Sequence, residues 1–264
     1  MTMNKVIFLG AGAAPGVPSI NNGWGACNPN NPHNYRTRTS TFIEYNGVTI
    51  LIDTNPDINR QLTHHHISRF DALLYTHAHA DHIHGIDDMR GINRVTHKNL
   101  DFYCGTLTAK YIKHNFSYLL TQPDKVQDVV RMPSLVPNII KPNHLMQIKG
   151  LKIMPIKILD HCPESLGYVF NEGDIVYIPD FKRIAESAFK QIIKQPKLLV
   201  VPLTTPYGQV THAGFDDVLA VIKRINAEHT VINHMASECD YDWVNQSTPD
   251  NVEPAYDGLE IILK

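Results

Sequence analysis

The sequence predicts an α/β protein, an αββα sandwich of two mixed β-sheets with helices on the outer faces. Three observations lead there. Hairpin signals crowd the early part of the chain, strand–helix units follow late, and the apolar runs suffice for two sheets. No internal repeat, low-complexity tract or linker composition interrupts residues 1–264, so one continuous domain is expected.

"KVIFLG" reads as a short buried strand, and a long Gly/Pro/Asn loop follows it. Gly10 and Gly12 resemble a dinucleotide-binding turn only weakly, because Pro15 and Pro18 replace the helix that would receive a pyrophosphate. "TSTFIEY" and "VTILIDT" flank Asn46-Gly47, the preferred pair for a type I′ hairpin. "PDINRQL" looks helical. "DALLYTH" is a short apolar run that ends at a histidine cluster. "TLTAKYIKHNFSYLL" reads as a helix and "LKIMPIKIL" as a strand ending at Asp160-His161. "LGYVF-NEGD-IVYIPD" reads as a hairpin ending at Asp180, and "KLLVVPL" as a buried strand. In "GFDDVLAVIKRINAEH", Phe215, Val218, Leu219, Ile222 and Ile225 share one helical face. "TVINH" is a last short strand, ending at His234.

His77, His161, Asp180 and His234 each follow immediately after a predicted strand. Loops beyond rigid strand ends are where sites are assembled. In "HAHADH", His77 and His79 face the same way on an extended segment, while Asp81 and His82 fall on the turn into the next element. Imidazole and carboxylate suit zinc, manganese or iron, and this spacing can divide the ligands between two adjacent ions.

The formal net charge of −2 argues against binding nucleic acid by bulk electrostatics. "MTMNKVIFLGAGAAPG" does not read as a secretory signal, and no stretch approaches the ~20 apolar residues of a membrane span, so a cytoplasmic location without membrane partners is expected. Cys27, Cys104, Cys162 and Cys239 form no CxxC pair and are expected as reduced thiols.

"THAHADH", with "DTNP" before it and His161, Asp180 and His234 after it, resembles the metallo-β-lactamase superfamily over most of the chain. "FLGAGAAPGVPS", "NYRTRTST", "LIDTNPDINRQL", "THAHADHIHGIDDMRGIN" and "THAGFDDVLAVIKRINAEHTVINH" resemble one branch of it, the phosphodiesterase of the carbon–phosphorus lyase pathway, which opens a 5-phosphoribosyl 1,2-cyclic phosphate. The resemblance implies a first metal held by His77, His79 and His161, and a second held by Asp81, His82 and His234. Asp180 would bridge them, and His212 would be a catalytic histidine outside the ligand set. Relatives in this branch carry a structural zinc on cysteines of the first loop and a histidine after the last ligand. Here the loop has only Cys27, and Ser237 stands three residues beyond His234, so no structural Cys-bound zinc is expected.

The reading that follows is a dinuclear metal-dependent phosphodiesterase for a small, cyclic phosphodiester. Two divalent ions, zinc or manganese, neutralise the anion and lower the pKa of a bridging water, whose hydroxide attacks phosphorus. Asp81 would help orient the nucleophile, and His212 could bind a phosphoryl oxygen or protonate the leaving alkoxide. Asp53 and Asp160 are candidate partners for ligand N–H groups. His64–His66 read as solvated, His84 as a supporting or surface group, and Cys162 as a small buried residue. Arg36 and Arg38 could meet a substrate phosphate or belong to a salt-bridged loop. "IDDMRGIN" reads as a network fixing neighbouring segments.

Three alternatives stay open: a nuclease similar to the enzyme that trims precursor tRNA, a thioesterase similar to glyoxalase II, and a non-catalytic accessory protein of a cofactor pathway. No basic insertion is visible, so a nucleic-acid partner is not expected. If the chain is not a monomer, a homodimer is the expected assembly.

Overall fold

A computed structural model describes residues 4–120 and 134–263. In chain order the strands are β1 (Asn4–Gly10), β2 (Ser40–Tyr45), β3 (Val48–Ile52), β4 (Ala72–Leu74), β5 (Leu100–Cys104), β6 (Leu135–Ile139), β7 (Met146–Ile148), β8 (Leu151–Leu159), β9 (Ser165–Phe170), β10 (Ile175–Tyr177), β11 (Arg183–Ile184), β12 (Leu198–Pro202), β13 (His229–Asn233), β14 (Val252–Pro254) and β15 (Glu260–Leu263). The helices are α1 (Ile58–His64), α2 (Ala80–Ile83), α3 (Met89–Thr96), α4 (Thr106–Asn115), α5 (Glu186–Phe189), α6 (Phe215–Ile225) and α7 (Tyr241–Ser247).

One sheet runs β15-β1-β2-β3-β4-β5-β6, and the other β11-β8-β9-β10-β12-β13-β14 with β7 on β8. Each begins as antiparallel hairpins and ends in parallel strands, so both are mixed. Central strands are apolar on both faces because both faces are covered. In β1, Val6 and Phe8 enter the core between the sheets, while Ile7 and Leu9 pack outward among Ile58 and Leu62 of α1 and Met89 and Ile92 of α3. In β12, Leu198 and Val200 face inward, while Leu199 and Val201 meet Val218, Ile222 and Ile225 of α6. Period-two alternation thus generates the αββα layering.

The β2–β3 turn has positive φ at Asn46 (51°) and Gly47 (76°), as a type I′ hairpin requires. Gly10 and Gly12 serve close backbone packing rather than phosphate binding. A Cβ at Gly10 would lie 2.0 Å from the Arg38 carbonyl oxygen, and one at Gly12 2.8 Å from that of Thr37. The helix expected over 106–120 stops at Asn115, where Phe116 leaves helical geometry (φ −129°), and a 3-10 turn continues at Ser117–Leu119. At one end of the sandwich the Leu166 amide donates to the Thr76 carbonyl (3.0 Å), and the Tyr168 hydroxyl donates to the Tyr75 carbonyl (2.6 Å). These bonds tie β9 to the segment leaving β4, where the histidine cluster begins. Among the described residues, no helix is long and apolar enough to cross a membrane.

Candidate metal centre

His77 and His79 lie on the extended segment after β4, Asp81 and His82 in α2, His161 just past β8, Asp180 past β10 and His234 immediately after β13. Both sheets therefore contribute donors, and all seven meet at one mouth. Several residues at these strand ends turn through left-handed backbone, with φ of 61° at Asp53, 61° at Asp160 and 54° at His234. Such geometry is uncommon outside glycine and persists where the surroundings enforce it, often at functional sites.

The donors form two groups. Nε2 of His77, Nδ1 of His79 and Nε2 of His161 lie 3.0, 3.1 and 3.2 Å from one another. A tetrahedral ion with Zn–N bonds of ~2.0–2.1 Å needs ligand edges of about 3.3 Å, so this triangle fits such an ion. In the second group, Asp81 Oδ2 stands 3.3 Å from His234 Nε2 and 3.4 Å from His82 Nε2. Asp180 Oδ2 lies between the groups, 3.5 Å from His82 Nε2 and 3.7 Å from His161 Nε2. His82 Nε2 is buried with no hydrogen-bond partner, while Asp180 Oδ1 lies 3.0 Å from His234 Nδ1. An unpartnered nitrogen in a ring of carboxylates and imidazoles is what a cation would satisfy.

Surrounding bonds orient the ligands. The Thr76 hydroxyl donates to Asp53 Oδ2 (2.8 Å) and lies 2.9 Å from His77 Nδ1, which leaves His77 Nε2 directed inward. His82 Nδ1 faces Asp53 Oδ2 at 2.7 Å, and His161 Nδ1 faces the Thr211 carbonyl at 3.1 Å. In each case the network assigns the proton to Nδ1 and the lone pair to Nε2. Asp53 is therefore the expected partner of a ligand N–H. Asp160 is not: its left-handed turn carries the carboxylate outward to Arg183.

Electrostatics differ between the halves. Burial pushes His77 well below the usual imidazole range and His161 down to about 4. At the second half, burial opposes charge, but Asp81 and Asp53 hold His82 well above its ordinary value, and Asp180 with Asp81 lifts His234 to about 9. Burial also disfavours ionised Asp81 and Asp180, yet the neighbouring histidines keep both below the usual carboxylate range. Protons and carboxylates thus balance one another in the ligand set, and a bound metal ion would take the place of the protons.

His212 comes to the same place, with its Nε2 3.8 Å from Asp180 Oδ2 and its ring 4.7 Å from that of His161. It stands beside a tight loop in which the Gln209 amide donates to the His212 carbonyl (2.9 Å). Tyr207 and Val210 on that loop are each 90 % exposed. Cys162, expected as a small buried residue, is only partly buried and stands within reach of His77, His79 and His161, its thiol pushed up to about 11 by burial. Thr76 was overlooked, although a hydroxyl directly before the first ligand is a readable signal. His84 is exposed and faces the Tyr111 hydroxyl at 3.0 Å. His64 and His66 are exposed and His65 is partly so. Arg38 pairs with Asp57 (2.9 Å), and Arg36 is buried away from the mouth's solvent. Within "IDDMRGIN", Asp88 accepts from Asn59 and Asp87 from Tyr118, which ties this segment to α1 and to the turn after α4.

Residues 48–235 match the beta-lactamase superfamily domain. The chain belongs to that superfamily. A crystallised diphosphatase of the PhnP family superposes with a TM-score of 0.87 at 26 % identity, covering 99 % of this chain and 98 % of its own. That similarity agrees with the branch the motifs of this superfamily member resemble. Zinc-bound PqqB of Methylobacterium extorquens (TM-score 0.73, 18 % identity, 98 % and 100 % covered) and the short form of human tRNase Z (0.69, 17 %, 97 % and 98 %) share the fold. A curated relative, an octanoyltransferase of Porphyromonas gingivalis, is 28 % identical over 261 residues, which is 98 % of this chain. The chain spans about half (51 %) of that relative's length. The superfamily match, the fold and the donor set support a metal-dependent hydrolase.

Proposed function

We propose that the chain hydrolyses a small phosphodiester, with a cyclic ester as the favoured form, at a centre of two zinc or manganese ions. The observation that carries this reading is Asp180. One carboxylate oxygen reaches both donor groups and also faces the histidine expected to handle the leaving group. His77, His79 and His161 would hold one ion, Asp81, His82 and His234 the other, and Asp180 would join them. Bound divalent ions would supply charge neutralisation and an acidified water. Asp81, beside both His82 and His234, would orient that water. As water oxygen bonds to phosphorus and the ester P–O bond breaks, His212 Nε2 would give its proton to the departing alkoxide. Tyr207 and Val210, exposed beside His212, would meet the organic part of the substrate. The similarity to a named diphosphatase supports chemistry at phosphorus.

The octanoyl transfer named for the curated relative favours a second reading, hydrolysis of an acyl thioester. One assay separates the two: bis(p-nitrophenyl) phosphate and an octanoyl thioester, each with added manganese or zinc. The first reading expects diesterase turnover, lowered about 10²–10⁴-fold by His212→Ala with metal content retained. Thioester hydrolysis without diesterase activity would select the second. Two bound ions with neither activity would point to an accessory role.

A further inference from the structure

Arg36 is the largest fully buried side chain of the described residues, 1 % exposed. A buried guanidinium ordinarily sits against a carboxylate, because its charge is costly to strip of water. Among the described residues Arg36 has no ion pair to any carboxylate. Its Nη2 donates instead to the carbonyls of Cys239 (2.7 Å) and Ala236 (3.2 Å) and to the Cys27 thiol (3.1 Å), while Nη1 faces Met235 Sδ at 3.8 Å. Its Nε is buried and unpartnered. Sulfur and carbonyl acceptors thus gather round an internal cation.

The two segments joined in this way lie outside the named strands of the two sheets. One is the long first loop, which Arg36 enters by paired backbone bonds with Val17 (3.0 and 2.9 Å). The other, residues 235–240, has only an isolated bridge and a turn before α7, and it begins directly after His234. Its other ties run partly to the same loop, Met235 N to Ala11 O (2.9 Å), Ala13 N to Met235 O (3.2 Å) and Ala26 N to Ser237 O (2.8 Å), and partly to the segment leaving β12, where the Ala236 amide donates to the Thr204 carbonyl (3.1 Å) and the Cys239 thiol to the Leu203 carbonyl (3.4 Å).

We infer that Arg36 is a positioning residue for the second metal site, a built-in cation that pins the segment after His234 to the first loop and so holds His234 in its left-handed turn facing Asp81. This rests on the metal-centre reading above. Residues of the first group, His77, His79 and His161, lie on other segments and do not depend on the clamp.

Titration of the metal-free protein with Co²⁺ alone, followed by its visible spectrum and by calorimetry, tests the inference. The wild type is expected to take two ions. Arg36→Met should keep first-site affinity and lose about 10–100-fold at the second, the usual cost of removing a group that orients a ligand. Arg36→Lys, which keeps the charge but not the fork, should fall between. Equal weakening of both sites would reduce Arg36 to a general structural role and overturn the inference, as would unchanged affinity at both. If Arg36→Met does not fold, as judged by circular dichroism, Arg36→Lys is decided by the same criteria. A wild type that takes fewer than two ions would overturn the metal-centre reading itself, and the inference with it.

Discussion

Asp53 is wholly buried and accepts from the Thr76 hydroxyl, the Thr76 amide and His82 Nδ1. It touches no ion, yet it fixes how His82 presents its free nitrogen. Asp53→Ala is expected to weaken the second metal site by about 10–100-fold while the first is retained, as read by metal titration. Asp257 supplies a pH test. Burial pushes its carboxyl up from 3.8 to about 6, against the bonds donated by the Thr37 hydroxyl, the Thr37 amide and the Ala11 amide. The folded state therefore holds this proton more tightly than the unfolded one. The contribution to stability is complete below about 4 and is lost as pH rises to about 6. Asp257→Asn should flatten the stability profile across that window in denaturant titrations at stepped pH. At this scale the ligands were legible because strand ends and motif spacing mark them. Asp160 misled because it precedes a ligand exactly as a supporting carboxylate would in a linear reading, and only its φ shows that it turns away. Arg36 was legible as neither of its two expected roles, since its partners are sulfurs and backbone carbonyls, most of them brought from about 200 residues further along.

The short helix α2 carries two ligands in four residues and cannot be stable by itself. It is set against the β3–α1 connection: the Thr54 amide donates to the His82 carbonyl (2.7 Å) and the Gly85 amide to the Thr54 carbonyl (2.9 Å). Gly85 allows that approach, since a Cβ there would lie 2.1 Å from the Asn55 carbonyl oxygen. Gly85→Ala is expected to displace α2, costing about 1–3 kcal/mol of stability and lowering second-site occupancy, measured by thermal unfolding and metal analysis. Long apolar strands and the amphipathic α6 announce themselves in sequence. The helix α3 does not, because it is brief, mostly polar and buries only Met89, Ile92 and Asn93. The edge strand β6 is equally quiet: Pro137 interrupts it and alternate residues face solvent.

Across the whole molecule, one sheet supplies four donors ahead of the midpoint and the other supplies three beyond it. Bound ions would therefore cross-link the two layers, and their binding energy would add to folding stability. At free ion concentrations near 100-fold above the dissociation constant, each ion contributes about 2.7 kcal/mol. Removing both with a chelator should lower Tm by about 10–20 °C, and re-addition of zinc or manganese should restore it. A Tm indifferent to chelation would mean that the layers hold together without help from the mouth. The layering itself was readable from two-sided apolar runs, whereas the register that brings His161 and His234 to His77 follows from sheet order, which no local pattern encodes.

The pair of cross-layer bonds at Leu166 and Tyr168 bears on how this molecule can move. With backbone and phenol both anchored to residues 75 and 76, the layers are pinned at the very rim where the histidines converge. Sliding of one layer over the other is thereby hindered at that rim, and the exposed loop around Tyr207, rather than a parting of the sandwich, is the expected route for a substrate.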